Sequence, residues 1–269
     1  MKKRLDALIW ERGLSDSRER AKAVIMSGRA YVFGKRVDKP GTQIEDTAEI
    51  EVRGDPVGFV SRGGLKLERA LDFFNVDVSN VKVIDAGAST GGFTDCLLKR
   101  GAAKVYAVDV GYGQLAWTLR KDPRVVCMER TNVRYLTPES IGETLDFAVC
   151  DMSFISLALV IPPVSALLSD RGGIICLIKP QFEAGRENVG KKGVVRDPAV
   201  HEEVLLRFVD AAGRNGLGVM GITYSPVKGP EGNIEFLGYL SKSQPGDCVD
   251  VRAIVDEAHR ILIDAQRGN

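Results

Sequence analysis

The stretch Asp85-Ala86-Gly87-Ala88-Ser89-Thr90-Gly91-Gly92-Phe93-Thr94-Asp95 decides how the rest of this chain is read. It follows the apolar run Val81-Lys82-Val83-Ile84 and leads into Cys96-Leu97-Leu98, an order of strand, glycine turn and helix start. Gly87, Gly91 and Gly92 allow a tight turn and a close approach of ligand to backbone, and the N–H groups opening the helix favour electron-rich groups. Asp109 closes the next apolar run, Val105 to Val108, where an acidic side chain accepts from ribose hydroxyls. Glycine turns of this kind also arise from packing alone. With Asp109 added, the stretch reads as a cradle for a nucleotide-like cofactor, formed by Asp85, Gly87, Ala88, Ser89, Thr90, Gly91, Gly92, Phe93, Asp109 and Val110.

Downstream the chain alternates between strand and helix patterns. Strands are expected at 81–86, 104–109, 125–129, 145–150 and 172–178, with helices at 92–100, 112–121, 137–142 and 155–168 between them. A long helix at 198–214 precedes strands 217–225 and 234–240, and a helix from 250 closes the pattern. Such alternation implies an α/β fold with a mostly parallel, Rossmann-like sheet and ligands outside the carboxyl ends of its strands. The last two strands, joined by the short Pro226–Asn233 loop, should pair antiparallel, an ending that separates methyltransferase sheets from dehydrogenase ones.

The first 52 residues read as a small α+β unit: helices around Leu5-Leu8-Ile9 and Ala21-Val24-Ile25, capped by Ser15 or Ser17, then short strands near 30–33 and 48–52 with a Gly34-Lys35 turn. The expected division is 1–53 for this unit, 54–60 for a linker holding two glycines and a proline, and 61–269 for the larger domain. The net charge of +1 points to no polyanion partner, but residues 1–39 carry eleven Lys or Arg against five Asp or Glu. Arg4, Arg18, Arg20, Lys22, Arg29, Lys35 and Arg36 are its non-core cations, read either as a phosphate-binding face or as a solvated one paired with Asp16 and Glu19.

Five scattered cysteines without a C-x-x-C pair, and two histidines, argue for buried thiols in a reducing, cytoplasmic setting and against a disulfide framework or a metal site. Met1-Lys2-Lys3-Arg4 does not open a signal peptide. The charge-free run Met152–Ser169 is broken by Pro162-Pro163 and reads as a buried helix rather than a membrane span.

Several polar residues fall at expected strand ends. Asp151 follows 145–150, Lys179 follows 172–178, Glu235 lies in the last strand, and Lys66 lies on a helix just upstream of the first. Each alone has a structural reading as cap, surface cation or local partner. Together they suit methylation of a sugar hydroxyl without metal or thiol. A ribose 2′-OH must lose its proton as the methyl arrives, and a lysine whose pKa is lowered by a second ammonium can take it. Lys179 is then the base, Asp151 its partner and, on the methyl side, a stabiliser counted with the cofactor contacts, and Lys66 with Glu235 hold the hydroxyl in line. Base methylation is disfavoured. Met152-Ser153-Phe154 stands where amine methylation uses Pro-Pro-aromatic, and Cys150 should point away from Asp151. Asn132 is read as a contact to the cofactor's adenine end or as a cap, and Arg130 and Arg134 as RNA contacts near the rim. The loop 181–197, with Lys191 and Lys192, is read as phosphate-touching or merely solvated.

Two resemblances add to this. Arg4-Leu5-Asp6, Ser17-Arg18 with Ala21, Ile25 to Arg29, and Gly34 with Pro40 resemble the small RNA-binding domain typified by the fourth ribosomal protein of the small subunit, which implies docking on folded RNA. The order Lys66, Asp151, Lys179, Glu235 resembles the catalytic tetrad of FtsJ-like ribose methyltransferases. With Ser61-Arg62-Gly63-Gly64-Leu65-Lys66-Leu67, Asp109 to Leu115, Asp151 to Ser156 and Lys179-Pro180-Gln181-Phe182, the whole chain is similar to the TlyA family. That family implies S-adenosylmethionine-dependent 2′-O-methylation of cytidines in the RNA of ribosomal subunits, and its members are often labelled hemolysins; Arg62 is read as a further RNA contact. The segment before Ser61 departs from the family's linker. The competing classes are a non-catalytic RNA-binding assembly factor, disfavoured by the complete tetrad, and a membrane-lysing protein, which lacks a span and a basic amphipathic helix.

Overall fold

The computed structural model describes residues 2–15, 18–26, 28–52, 58–229 and 231–262, and the chain divides into compact units at 1–62 and 63–269. Asp16, Ser17 and residues 54–57 of the expected linker lie outside the described residues.

In the small unit, β1 (Lys2–Arg4) leads into α1 (Leu5–Glu11), followed by α2 (Arg18–Met26), β2 (Ala30–Val32), β3 (Lys35–Arg36), β4 (Gln43–Glu45) and β5 (Ile50–Val52). Leu5, Ile9, Ala21 and Ile25, at helical spacing, meet Ala30, Val32 and Ala48 in one core. The β2–β3 turn falls at Phe33-Gly34, one residue earlier than the sequence suggests. Both residues have positive φ, 48° and 72°, the backbone of a two-residue hairpin turn, so Lys35 and Arg36 pair back onto Val32 and Tyr31. The sequence pattern also shows no sign of β1, which pairs antiparallel with β4.

The larger unit opens with α3 (Gly63–Phe73) and alternates β6 (Lys82–Ala86), α4 (Gly92–Lys99), β7 (Lys104–Val108), α5 (Trp117–Arg120), β8 (Val125–Met128), α6 (Pro138–Ile141), β9 (Leu145–Cys150), α7 (Ile161–Ala166), β10 (Leu168–Ile178), α8 (Pro180–Glu183), α9 (Pro198–Arg214), β11 (Gly218–Tyr224), β12 (Phe236–Ser241) and α10 (Val251–Leu262). Its seven strands lie in the order β11-β12-β10-β9-β6-β7-β8. β12 is antiparallel to both neighbours and the rest are parallel. The expected antiparallel ending is therefore present, and β12 is inserted between β10 and β11.

Two expected helices are shorter than their patterns. Only Trp117–Arg120 of 112–121 is helical, because the Gly111 and Gln114 N–H groups donate instead to the carboxylates of Asp109 and Glu129. The segment 155–168 splits into a single turn at Leu157–Leu159 and α7, where Pro162-Pro163 removes the donors a continuous helix needs. Among the described residues no helix is long and apolar enough to cross a membrane.

Candidate active site

The sheet topology builds the site. β6 and β9 are neighbours, as are β9 and β10, so the residues leaving these strands, Gly87, Asp151 and Lys179, emerge on one rim. β12 runs the other way, and its register pairs Ile178 with Phe236. The next step of that register sets Glu235 opposite Lys179. Glu235 lies one residue before β12 rather than within it.

Gly87 is required by this crowding. It has a φ of 87°, and a Cβ there would fall 2.4 Å from the Asp151 carbonyl oxygen. Only a residue without a side chain lets the Asp151 backbone run so close, with its N–H bonded to the Ala86 carbonyl at 2.9 Å. Gly91, φ 95°, serves packing: a Cβ there would fall 2.3 Å from a Leu119 methyl.

The four candidate catalytic side chains form two ion pairs. Lys66 Nζ lies 2.5 Å from Glu235 Oε2, both groups nearly or fully buried. Lys66 belongs to the buried face of α3 with Leu67, Ala70 and Leu71, so its stem is packed while its ammonium meets the carboxylate. Lys179 Nζ lies 2.6 Å from Asp151 Oδ1 and donates to Ser153 Oγ at 2.9 Å. Gln181 Nε2 reaches Glu235 Oε1 at 3.5 Å, linking the short helix after Lys179 to the other pair.

Two clefts adjoin these pairs. One, of about 280 Å³, is lined by Gly87, Ser89, Asp109, Val110 and Asp151 from the expected cofactor set, together with Val108, Gln114, Thr131, Val133, Met152, Ser153 and Phe154. The Asp109 carboxylate accepts from the Ser89 and Gly111 N–H groups at 2.8 and 2.7 Å, which fixes it at the cleft wall. Asp85, Ala88, Gly91, Gly92 and Phe93 are buried beneath the turn, and Thr90 is exposed. Asp85 accepts from Thr94 Oγ1 at 2.6 Å, while its other oxygen is buried with no protein partner. Burial above all, and the neighbouring Asp151 and Asp109 carboxylates, push its carboxyl up to about 7. Asn132 caps the turn at Val133–Tyr135 by accepting from the Arg134 N–H at 3.1 Å, the second of its two expected roles.

The second cleft, of about 570 Å³, is lined by Phe154, Gln181, Phe182, Gly185, Arg186 and Val189. Phe154 belongs to both clefts. It is 89% exposed, holds a left-handed φ of 63°, and its ring centroid lies 4.8 Å from that of Phe182. Both rings belong to sequence motifs, Met152-Ser153-Phe154 and Lys179-Pro180-Gln181-Phe182, but their spacing carries no sign that they meet.

Of the expected RNA contacts, Arg4, Arg20, Lys35 and Arg36 are exposed, while Arg18, Lys22 and Arg29 are half-buried. Arg4 and Arg18 flank the buried Asp6, whose carboxyl the Arg4 hydrogen bonds above all hold down at about 2. Arg62, Arg130, Arg134 and Lys192 are exposed, and Lys191 lies on the turn at 191–193. The guanidinium of Arg130 stacks over the Tyr112 ring at 4.1 Å. Among the described residues no cluster of three or more His, Cys, Asp or Glu is arranged to hold a metal ion.

The profile of the FtsJ-like methyltransferase family matches residues 59–242, and that of the S4 domain matches residues 3–50. A relative in Mycobacterium tuberculosis, the 16S/23S rRNA (cytidine-2′-O)-methyltransferase TlyA, is 45% identical over 96% of this chain and 97% of its own. The chain belongs to the TlyA family. It is also 50% identical, over 97% of this chain and 95% of the other, to YqxC of Bacillus subtilis, a candidate rRNA methyltransferase. A solved structure of a candidate hemolysin from Streptococcus thermophilus superposes with a TM-score of 0.79 at 44% identity, covering 99% of this chain and 98% of that one. The family's FtsJ-like part corresponds to the large unit that carries both ion pairs, and its S4 part to the small basic unit.

Proposed function

We propose that this protein is an S-adenosylmethionine-dependent ribosomal RNA (cytidine-2′-O)-methyltransferase, working in the cytoplasm on ribosomal subunits. The observation that carries the reading is the meeting of two clefts at Phe154, with Asp151 lining the first and the ammonium of its partner Lys179 5.8 Å from the Phe182 ring of the second. One is suited to a methyl donor and the other to the acceptor nucleotide. The name of the M. tuberculosis relative supports the choice of cytidine and of ribosomal RNA.

The residues present fit the donor. Asp109 offers acceptor oxygens to ribose hydroxyls, Val108, Val110 and Val133 supply apolar wall, and the Asp109 and Asp151 carboxylates give the cleft the acidic lining that suits a sulfonium cation. When bound, that cofactor supplies an electrophilic methyl group. Lys179, in its amine form, takes the 2′-hydroxyl proton, with Asp151 and Ser153 fixing the direction of its Nζ. Lys66 and Glu235 hold the hydroxyl in line from the opposite side, and this alignment supplies much of the rate. The exposed Phe154 ring, supported by Phe182, offers a face on which the unstacked base rests. The cations of the small unit hold folded RNA through its phosphates.

Lys179→Ala is expected to bind the cofactor with wild-type affinity and to transfer no measurable methyl group to unmodified ribosomal subunits. The assay uses a labelled methyl donor and maps the labelled ribose. Wild-type transfer by this variant, or label on a base rather than a ribose, would overturn the assignment.

A further inference from the structure

The two catalytic ion-pair partners Asp151 and Lys179 sit on different loops, one after β9 and one after β10, and their separation must be held to a fraction of an ångström for proton transfer. At the reacting end the loops touch through groups that the proposed reaction itself engages: the Lys179 ammonium on Asp151 and Ser153, and Phe154 against Phe182. A fixed connection is found one turn away. Glu183, the last residue of α8, accepts from the Leu157 N–H through Oε1 at 2.7 Å and from the Ser156 hydroxyl through Oε2 at 2.7 Å. Ser156 Oγ in turn accepts from the Ala158 N–H at 3.3 Å and caps the turn at 157–159. A single carboxylate thus joins the Asp151 loop, five and six residues on, to the Lys179 loop, four residues on.

We propose that Glu183 is a positioning residue for methyl transfer, a brace that sets the register of the Asp151 loop against the Lys179 loop. This rests on the reading of Lys179 and Asp151 as the catalytic pair. Three features separate a brace from an incidental helix cap. Glu183 is half-buried, and desolvation raises its carboxyl above the usual range, so the fold holds a partly desolvated carboxylate there. Its backbone carbonyl also receives the Arg207 guanidinium at 3.4 Å, tying the brace to the 17-residue α9. Both donors it satisfies belong to the neighbouring loop rather than to its own helix. Its negative charge is not what the brace needs. A glutamine at 183 keeps an acceptor for the Leu157 N–H and gives its amide N–H to Ser156 Oγ, so the two connections survive neutralisation.

The test uses the full-length protein with Glu183→Ala, Glu183→Gln and Ser156→Ala. Hydrogen exchange at the Leu157 amide reads the brace without RNA. It is expected to quicken at least tenfold in Glu183→Ala and to stay within about threefold of wild type in Glu183→Gln. Single-turnover methylation of ribosomal subunits reads the consequence, with the rate constant falling about 10-fold to 100-fold in Glu183→Ala, cofactor affinity unchanged within twofold, and near-wild-type rates in Glu183→Gln. Ser156→Ala, which removes one connection and leaves the Glu183 carboxylate in place, should fall between them and keeps the test open if Glu183→Ala does not fold. A quickened Leu157 amide with a wild-type rate constant overturns the positioning role, and an unchanged Leu157 amide overturns the brace itself. If the wild-type protein methylates no ribose, the functional reading fails while the exchange measurement still decides the brace.

Discussion

Replacing Gly87 by alanine tests the most crowded point of the site. Two effects act at once. The residue's φ of 87° disfavours any side chain, and the new Cβ would fall 2.4 Å from the Asp151 carbonyl oxygen, 3.0 Å from its carbon and 3.1 Å from Met152 Sδ. Ordinary contact begins near 3.4 Å, so the strand end must give by about 1 Å. Left-handed backbone in a residue with a side chain costs about 1–3 kcal/mol, and forcing an extra methyl into packed surroundings costs a similar amount, for a combined loss of roughly 3 kcal/mol. In a unit of this size each kcal/mol lowers Tm by about 2–4 °C, which gives a drop of roughly 6–12 °C. The displaced Asp151 backbone carries the partner of Lys179, so single-turnover methyl transfer should fall by about 100-fold even well below the new Tm. Gly142→Ala provides the control, since Gly142 has a φ of 76° but nothing within 4 Å of its Cβ position. It should lose stability through backbone strain alone and keep its rate. The reasoning is refuted if Gly87→Ala is no less stable than Gly142→Ala and transfers methyl groups at the wild-type rate.

Other expectations follow from the same geometry. His201 is buried between α9 and α10, its Nδ1 2.9 Å from His259 Nε2, and burial above all, with His259 next, lowers it to about 4. A His depressed on folding stabilises the protein fully above its unfolded value near 6.5, and that stability drains as pH falls through 4. Between pH 7 and 4 the wild type should lose about 3 kcal/mol more than His201→Phe in urea unfolding, and equal losses would refute the linkage. Lys35, exposed on β3, is expected to touch phosphate. Lys35→Ala should reduce the slope of log affinity against log salt for ribosomal RNA by about 1, and an unchanged slope removes it from the interface. Phe154→Ala should weaken acceptor binding or slow transfer by roughly 5-fold to 100-fold, the worth of one stacked base, while leaving cofactor affinity intact. An unaltered Phe154→Ala enzyme would falsify the stacking role.

Much of this protein is legible from local pattern. Alternating apolar runs and glycine turns place the strands of the large sheet to within a few residues, because buried parallel strands require unbroken apolar runs and each must be followed by a crossover. Even the antiparallel ending follows from a loop too short to cross the sheet. Where the pattern misleads, local chemistry explains the failure. The Asp109 and Glu129 carboxylates take the N–H groups a helix at 112–116 would need, and no periodicity of apolar residues records that. The S4-like unit is readable from its core spacing, but β1 is three polar residues whose pairing with β4 depends on where Ile44 and Leu5 are anchored.

The chain's own order of residues determined the strand, glycine turn and helix of Asp85 to Asp95, the acid at Asp109 and the four polar residues on which the proposed transfer from a methyl donor to a ribose hydroxyl rests. Only the tertiary structure decided who meets whom. Lys66 and Glu235 are 169 positions apart and join because β12 is inserted antiparallel beside β10, which returns its first residues to the rim where the parallel strands end. The parallel pairing of β6 with β9 makes Gly87 indispensable against the Asp151 carbonyl while Gly91, four residues on, merely admits Leu119. The parallel pairing of β9 with β10 brings Glu183 to Ser156 and Leu157 across two loops. Contacts of this kind depend on distances set by strand register and backbone approach, and those are quantities that spacing along the chain does not contain.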